Sequence, residues 1–185
     1  MDTESERVST RSARADARAK KTSPVRFVLT FVGLLVVFEL LWEFVVAPSG
    51  LFQSYLALNA RLSAAILSLL ESNVSSQGAV ILSSRYSLGI ARGCDALQPM
   101  GIFLSAVLAF PAPWRSKWAP MLIGASTLLF VNQLRIVSLY FLGIGSPTAF
   151  EVFHEAVWPA AFILLAFAMW ILWVRRLRPE PVPRT

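Results

Sequence analysis

Apolar blocks separated by short polar stretches dominate the chain, and their lengths set the first expectations. The blocks cover about 27–47, 96–110, 119–142 and 153–174. A bilayer crossing takes roughly 20 apolar residues. The first, third and fourth blocks are long enough; the second is short and needs a flanking turn or a thin local bilayer. A fifth segment, "LFQSYLALNARLSAAILSLL" (51–70), carries Asn59 and Arg61 in its middle. An Arg at the centre of a span costs about 2.5–3.5 kcal/mol on the insertion scale. The segment is therefore expected to lie on, or dip into, the outer membrane surface as an amphipathic or re-entrant helix.

The next stretch, "AVILSSRYSLGIAR", has a period of two. That period predicts short β-strands or extended chain, with Val80, Leu82, Tyr86, Leu88 and Ile90 on one face and Ser83, Arg85 and Ser87 on the other. The fold class expected is all-α: a polytopic membrane helical bundle of about four transmembrane helices, an outer amphipathic helix and a short extended or β segment before Cys94. Residues 1–24 read as a disordered basic cytoplasmic tail, 25–176 as one integral membrane domain and 177–185 as a second cytoplasmic tail. The first apolar run is too long for the core of a signal peptide and lacks a small-residue cleavage site.

Composition sharpens this picture. The 185 residues are 56% hydrophobic, with a formal net charge of +6, and mean hydropathy is +0.60. These values are too apolar for an ordinary soluble domain. The basic residues sit in the N-terminal tail, in the loop "PAPWRSKW" with Arg115 and Lys117, and in the C-terminal "RRLR". Such placement fits membrane orientation rather than nucleic-acid binding. With four spans, all three clusters fall on one side, so both termini are expected in the cytoplasm. If 51–70 also crossed, the last two clusters would lie outside. A single cysteine forms no internal disulfide. The sequence has no metal-ligand spacing and no glycine-rich phosphate loop, so no metal or cofactor is expected.

That topology brings three chemical groups to one membrane face. Cys94 stands at the outer mouth of the second span. "VNQLRIV" puts Asn132 and Arg135 three residues apart, on one face of the third helix. His154, the only histidine, opens the fourth span in "FEVFHEAVW". A thiolate can attack a carbonyl, an imidazole can take and return a proton, and a guanidinium can stabilise an oxyanion. Asp95-Ala96-Leu97-Gln98 has the spacing of a capping box. It would place Cys94 just before a helix N-terminus, whose dipole lowers a thiol pKa while the Asp95 charge opposes it. Glu39 and Glu43, four apart on the first helix, are candidates to pair with Arg135, Arg85 or Arg92. The plainer readings are a packing cysteine, a snorkelling arginine and an interfacial histidine.

"GCDAL", "LAFPAPWR", "NQLRIVSLYFLG" and "FEVFHEAVWP" together resemble the core of the exosortase/archaeosortase family, over roughly residues 26–175. The compact length and the "AFPAPWR" loop are similar to the exosortase H type. The resemblance implies a prokaryotic multi-pass enzyme of the cell membrane, active on the extracytoplasmic side. Its partners would be exported proteins that end in a short motif, a transmembrane helix and a basic tail. It also implies Cys94 as nucleophile, Arg135 as catalytic arginine supported by Asn132, and His154 as the third catalytic residue. Members of the family often carry Gly two residues after the cysteine, where this chain has Ala96. Pro179-Glu180-Pro181 looks like a motif of exosortase substrates, but it follows the last span and reads as a solvated tail. The competing expectation is a non-catalytic membrane partner for export of protein or polysaccharide, with the polar groups as a structural network.

Overall fold

The computed structural model describes residues 24–177. The two tails expected at 1–24 and 177–185, including the Pro179-Glu180-Pro181 segment, fall almost wholly outside these residues. Six α-helices and a three-stranded sheet follow in order. They are α1 (Pro24–Leu41), α2 (Gly50–Leu67), β1 (Ser75–Gln77), β2 (Val80–Leu82), β3 (Ser87–Gly89), α3 (Leu97–Ala109), α4 (Trp114–Gly145), α5 (Pro147–Val152) and α6 (Trp158–Arg176). Two π-helical turns, Trp42–Val46 and Phe153–Val157, continue α1 and join α5 to α6.

The architecture is an all-α membrane bundle with a small sheet. Three helical stretches are long and apolar enough to cross a bilayer: Pro24–Val46, Trp114–Gly145 and Pro147–Arg176. The fourth expected span is α3, only 13 residues long. Helices α1, α3, α4 and α6 pack together. Small residues set their separation: a Cβ added at Gly101 would fall on the Phe38 ring, and one at Gly124 on the Phe103 ring. Close backbone approach through glycine is the usual way apolar helices associate where water supplies no driving force. An aromatic cluster of Phe27, Phe110, Trp170 and Trp173 closes the far end of the bundle.

Helix α2 starts at Ser49, whose hydroxyl accepts from the Phe52 amide at 3.2 Å, a standard N-cap that satisfies an otherwise orphan donor. Its buried face comprises Phe52, Leu56, Asn59, Ala60, Ser63, Ala64 and Leu67, and it packs on α4 and the sheet. Arg61 lies on the exposed face.

The extended segment is a sheet of order β1-β2-β3, with one difference from the expected facing. Ile81 and Leu88 are the buried pair, while Val80 is exposed. The loop Ser83–Tyr86 pairs Leu82 with Ser87. Even-numbered residues of β2 therefore share a face with odd-numbered residues of β3, and the single alternation read through both strands breaks at the turn. The Ser83 hydroxyl holds that turn by accepting from the Arg85 and Tyr86 amides.

Acidic residues among those described are confined to one end of the bundle, where Arg85, Arg92 and Arg135 also lie. Arg26, Arg115, Lys117, Arg175 and Arg176 lie at the end opposite the Cys94 loop. The acidic groups of the described residues, among them Glu43, Glu71, Asp95 and Glu155, lie toward the Cys94 end. The Lys117 ammonium donates to the Leu108 carbonyl at 2.6 Å and so caps the last turn of α3.

Candidate active site

The segment between β3 and α3 carries Cys94, and its course is fixed by few contacts. The Ile90 amide donates to the Ala79 carbonyl at 2.8 Å, tying the segment to the sheet. Gly93 then takes φ of 85° and Ala96 φ of 61°, both left-handed. Glycine pays nothing for that conformation, whereas an L-residue pays roughly 1–2 kcal/mol. The departure from the family's glycine thus has a local meaning: Ala96 is buried, at 1% exposure, in a conformation that glycine suits better.

The expected capping box is not formed. Asp95 accepts from the Leu97 amide at 2.9 Å and from the Gly93 amide at 3.1 Å. The residue in the N-cap position is Ala96, with no side-chain cap. Asp95 therefore acts as a staple across the turn, and Cys94 sits three residues ahead of the first helical residue. Because left-handed corners at Gly93 and Ala96 flank Cys94 and Asp95, the regular cap geometry does not develop.

The buried face of α4 meets this turn. Asn132 Nδ2 donates to the Cys94 carbonyl at 3.1 Å. Arg135 Nη1 donates to the Gly93 carbonyl at 2.7 Å, and Nη2 reaches the His154 carbonyl at 3.4 Å. The Arg135 guanidinium also lies over the Phe162 ring at 5.8 Å. Its Nε is buried without an acceptor among the described residues. His154 comes from the π-helical turn Phe153–Val157 and stacks on Phe150, with ring centres 5.6 Å apart. Its Nε2 is 3.0 Å from Cys94 Sγ. The structure thus brings Cys94, Arg135, His154 and Asn132 together.

Burial is the largest influence on the thiol and raises its pKa above the ordinary value. The Arg135 charge pulls it down, and the Asp95 charge pushes it up. The balance differs from a dipole-activated thiol: burial favours the protonated form, and the Arg135 charge favours the thiolate. Burial also raises the Asp95 pKa, opposed by the Leu97 and Gly93 amides and by Arg135.

A second layer lies beneath, which the sequence reading did not assign to the site. Tyr55 donates to the Asp95 carbonyl at 2.6 Å. Asn59 Oδ1 accepts from Gln133 at 2.7 Å and from Asn132 at 3.4 Å, and Ser63 donates to Gln133 at 2.7 Å. Tyr55, Asn59 and Ser63 are spaced by four along α2, a polar stripe on one helix face. That spacing was the available signal; Asn59 counted instead as a liability for membrane crossing. Of the acidic candidates, Glu43 pairs with Arg92 at 3.0 Å, Arg85 pairs with Glu71 at 2.8 Å, and Glu39 is exposed.

Two spaces adjoin the Cys94–His154 pair. A groove of about 410 Å³ runs between α3 and α6, past Gly93, Arg135, His154 and Glu155. It shares Pro99, Ile102 and Ile163 with an apolar cleft of about 260 Å³ that continues along the bundle to Phe27 and Trp170. A smaller pocket of about 30 Å³ lies on the side of the sheet. Among the described residues no cluster of His, Cys, Asp or Glu could hold a metal ion.

A membrane bundle in which a thiol touches an imidazole, with a guanidinium bonded to the backbone beside both, defines a class of candidate membrane thiol enzymes. The family model described as transmembrane exosortase (Exosortase_EpsH) matches residues 19–173, and the chain belongs to that family. Comparison with curated proteins and with solved structures gives no match.

Proposed function

We propose that this exosortase is a cysteine peptidase or transpeptidase acting on C-terminal sorting signals of exported proteins at the extracytoplasmic membrane face. The observation that carries the reading is the 3.0 Å contact between Cys94 Sγ and His154 Nε2 beside Arg135. That is the spacing of a nucleophile and its base.

His154 Nε2 takes the Cys94 proton as the sulfur bonds to the substrate carbonyl carbon. The carbonyl electron pair moves to oxygen, and the positive charge of the Arg135 guanidinium beside the pair stabilises that oxyanion. The carbon–nitrogen bond then breaks, and His154 returns the proton to the leaving amine. Water or an amine next attacks the thioester and releases the thiolate, which recovers a proton through His154. Asn132 acts as a positioning residue through the Cys94 carbonyl.

The groove and the apolar cleft behind it suit a substrate whose leaving side is an apolar helix entering from the bilayer. Five basic groups at the opposite end favour that end in the cytoplasm, by the positive-inside rule. Co-expression with a tagged protein ending in motif, helix and basic tail tests the reading. Cys94→Ala and His154→Ala should accumulate precursor. Unchanged processing in Cys94→Ala would overturn it and leave a non-catalytic membrane partner.

A further inference from the structure

The groove between α3 and α6 accounts for the leaving side of a substrate, but two features on the other side of the Cys94–His154 pair have no part in the reading so far. The first is the free edge of the sheet. In the order β1-β2-β3, strand β3 pairs on one side only. Pairs along β2 and β3 run Val80 with Gly89, Ile81 with Leu88 and Leu82 with Ser87. The Ile90 amide bonds directly to its opposite residue, Ala79. Hydrogen-bonded pairs alternate in an antiparallel ladder, so Leu88 turns its backbone groups toward β2. Those of Ser87 and Gly89 turn to the open edge. Gly89 is exposed and stands five residues before the thiol.

The second is the small pocket. Leu88, Gly89, Ile136, Leu139 and Phe150 line it together with Cys94 and His154. Its volume is about 30 Å³; a single water needs roughly 10–15 Å³ on the same kind of measure. It holds a group the size of a methyl or a short branched side chain, and apart from the Cys94–His154 edge its walls are apolar.

We propose that the substrate segment before the scissile bond binds in extended form along the open edge of β3, with the side chain of the residue whose carbonyl is attacked seated in this small pocket. The proposal rests on the peptidase reading and adds a substrate class: a short extended stretch ending, on the acyl side, in a small uncharged residue. Strand addition supplies main-chain hydrogen bonds, and alternate side chains supply specificity. The alternation of a strand fits this arrangement, since one side chain enters the pocket and its neighbours point away.

Acetyl-tetrapeptide chloromethyl ketones test this on the full-length protein in nanodiscs. Sγ bonds to the methylene carbon, chloride leaves, and His154 takes the thiol proton, so intact mass reports labelling of Cys94. Alanine at the position next to the ketone should label at least about tenfold faster than tryptophan, the scale on which pocket fit discriminates side chains. Proline one residue earlier, which removes a main-chain donor, should slow labelling by a similar factor. Leu88→Ala and Leu139→Ala open the pocket from different walls, so a fold lost in one leaves the other; either should narrow the alanine-to-tryptophan ratio. Rates indifferent to side chain and proline, in protein that iodoacetamide alkylates at Cys94, would overturn the proposal and leave the nucleophile in place. A thiol inert to every reagent, iodoacetamide included, would overturn the proposal and the peptidase reading together.

Discussion

Asn132 Nδ2, on a side chain with no exposure, donates to the carbonyl of Cys94 at 3.1 Å. The bond connects the centre of the longest helix to the backbone of the proposed nucleophile. Truncation in Asn132→Ala leaves a buried carbonyl without its donor, a loss of about 1–3 kcal/mol. Thermal unfolding in detergent should fall by several degrees, and processing should slow. Asn132→Asp should be worse, because a carboxylate would face the Cys94 and Asn59 oxygens. Wild-type unfolding and processing in Asn132→Ala would show the bond to be incidental.

The thiol gives a pH prediction. Burial holds the Cys94 pKa above the ordinary value, so alkylation of Cys94 by iodoacetamide should rise with pH to a midpoint above about 8.5. Arg135→Gln removes the charge that pulls the pKa down and should move the midpoint further up. Since the folded pKa exceeds the unfolded one, the associated stability is present below the unfolded value and is lost as pH rises through the folded value. Intact-mass kinetics across pH 6–10 checks both midpoints.

Ala96 tests the turn. Ala96→Gly relieves left-handed strain of about 1–2 kcal/mol but adds unfolded-state entropy worth about 0.4–1 kcal/mol and removes a buried methyl. Stability should change little and processing should persist. Ala96→Val puts a β-branched residue at φ of 61° and should abolish processing, read by precursor accumulation.

The sheet is fastened to α4 through Tyr140, which donates to Glu71 and bonds the Ser83 hydroxyl. The Tyr140 bond, with the Arg85 pair behind it, holds the Glu71 carboxyl below its usual range. A depressed carboxylate stabilises above its unfolded value, about 4.3, and that contribution is lost as pH falls through the folded value. Acid should therefore loosen the sheet before the bundle. Hydrogen exchange over residues 75–90 should quicken relative to α4 below about pH 4, and Tyr140→Phe should quicken it already at neutral pH.

The sequence conveyed the helices and the reactive groups for a physical reason. Apolar runs must be long to be stable in lipid, and a lone Cys and a lone His are easily located against them. Position along the helices was legible too: Asn132 and Arg135, three apart, both face the Cys94 turn. Three things were not. The facing of Val80 and Ile81 depends on the number of residues in the Ser83–Tyr86 turn, which alternation does not count. The stapling by Asp95 depends on the left-handed Gly93 and Ala96, which look like an ordinary cap until φ is known. The Tyr55–Asn59–Gln133 network lies between distant helices, and each of its members alone reads as a polar fault in an apolar segment. Glu43, by contrast, found Arg92, one of the three partners its position allowed.

The π-helical turn at Phe153–Val157 has one more consequence. Below it, α6 must keep Phe162, Ala166 and Trp173 against the bundle; above it, the imidazole must aim at sulfur. A uniform α-helix would lock those two directions in one fixed phase. A wider turn offsets the phase of the upper part by a fixed angle while the lower part of the helix stays seated. Deleting one residue there would leave a helix that is continuous and well packed yet misaligned, with His154 swung off the thiol and the bundle none the wiser.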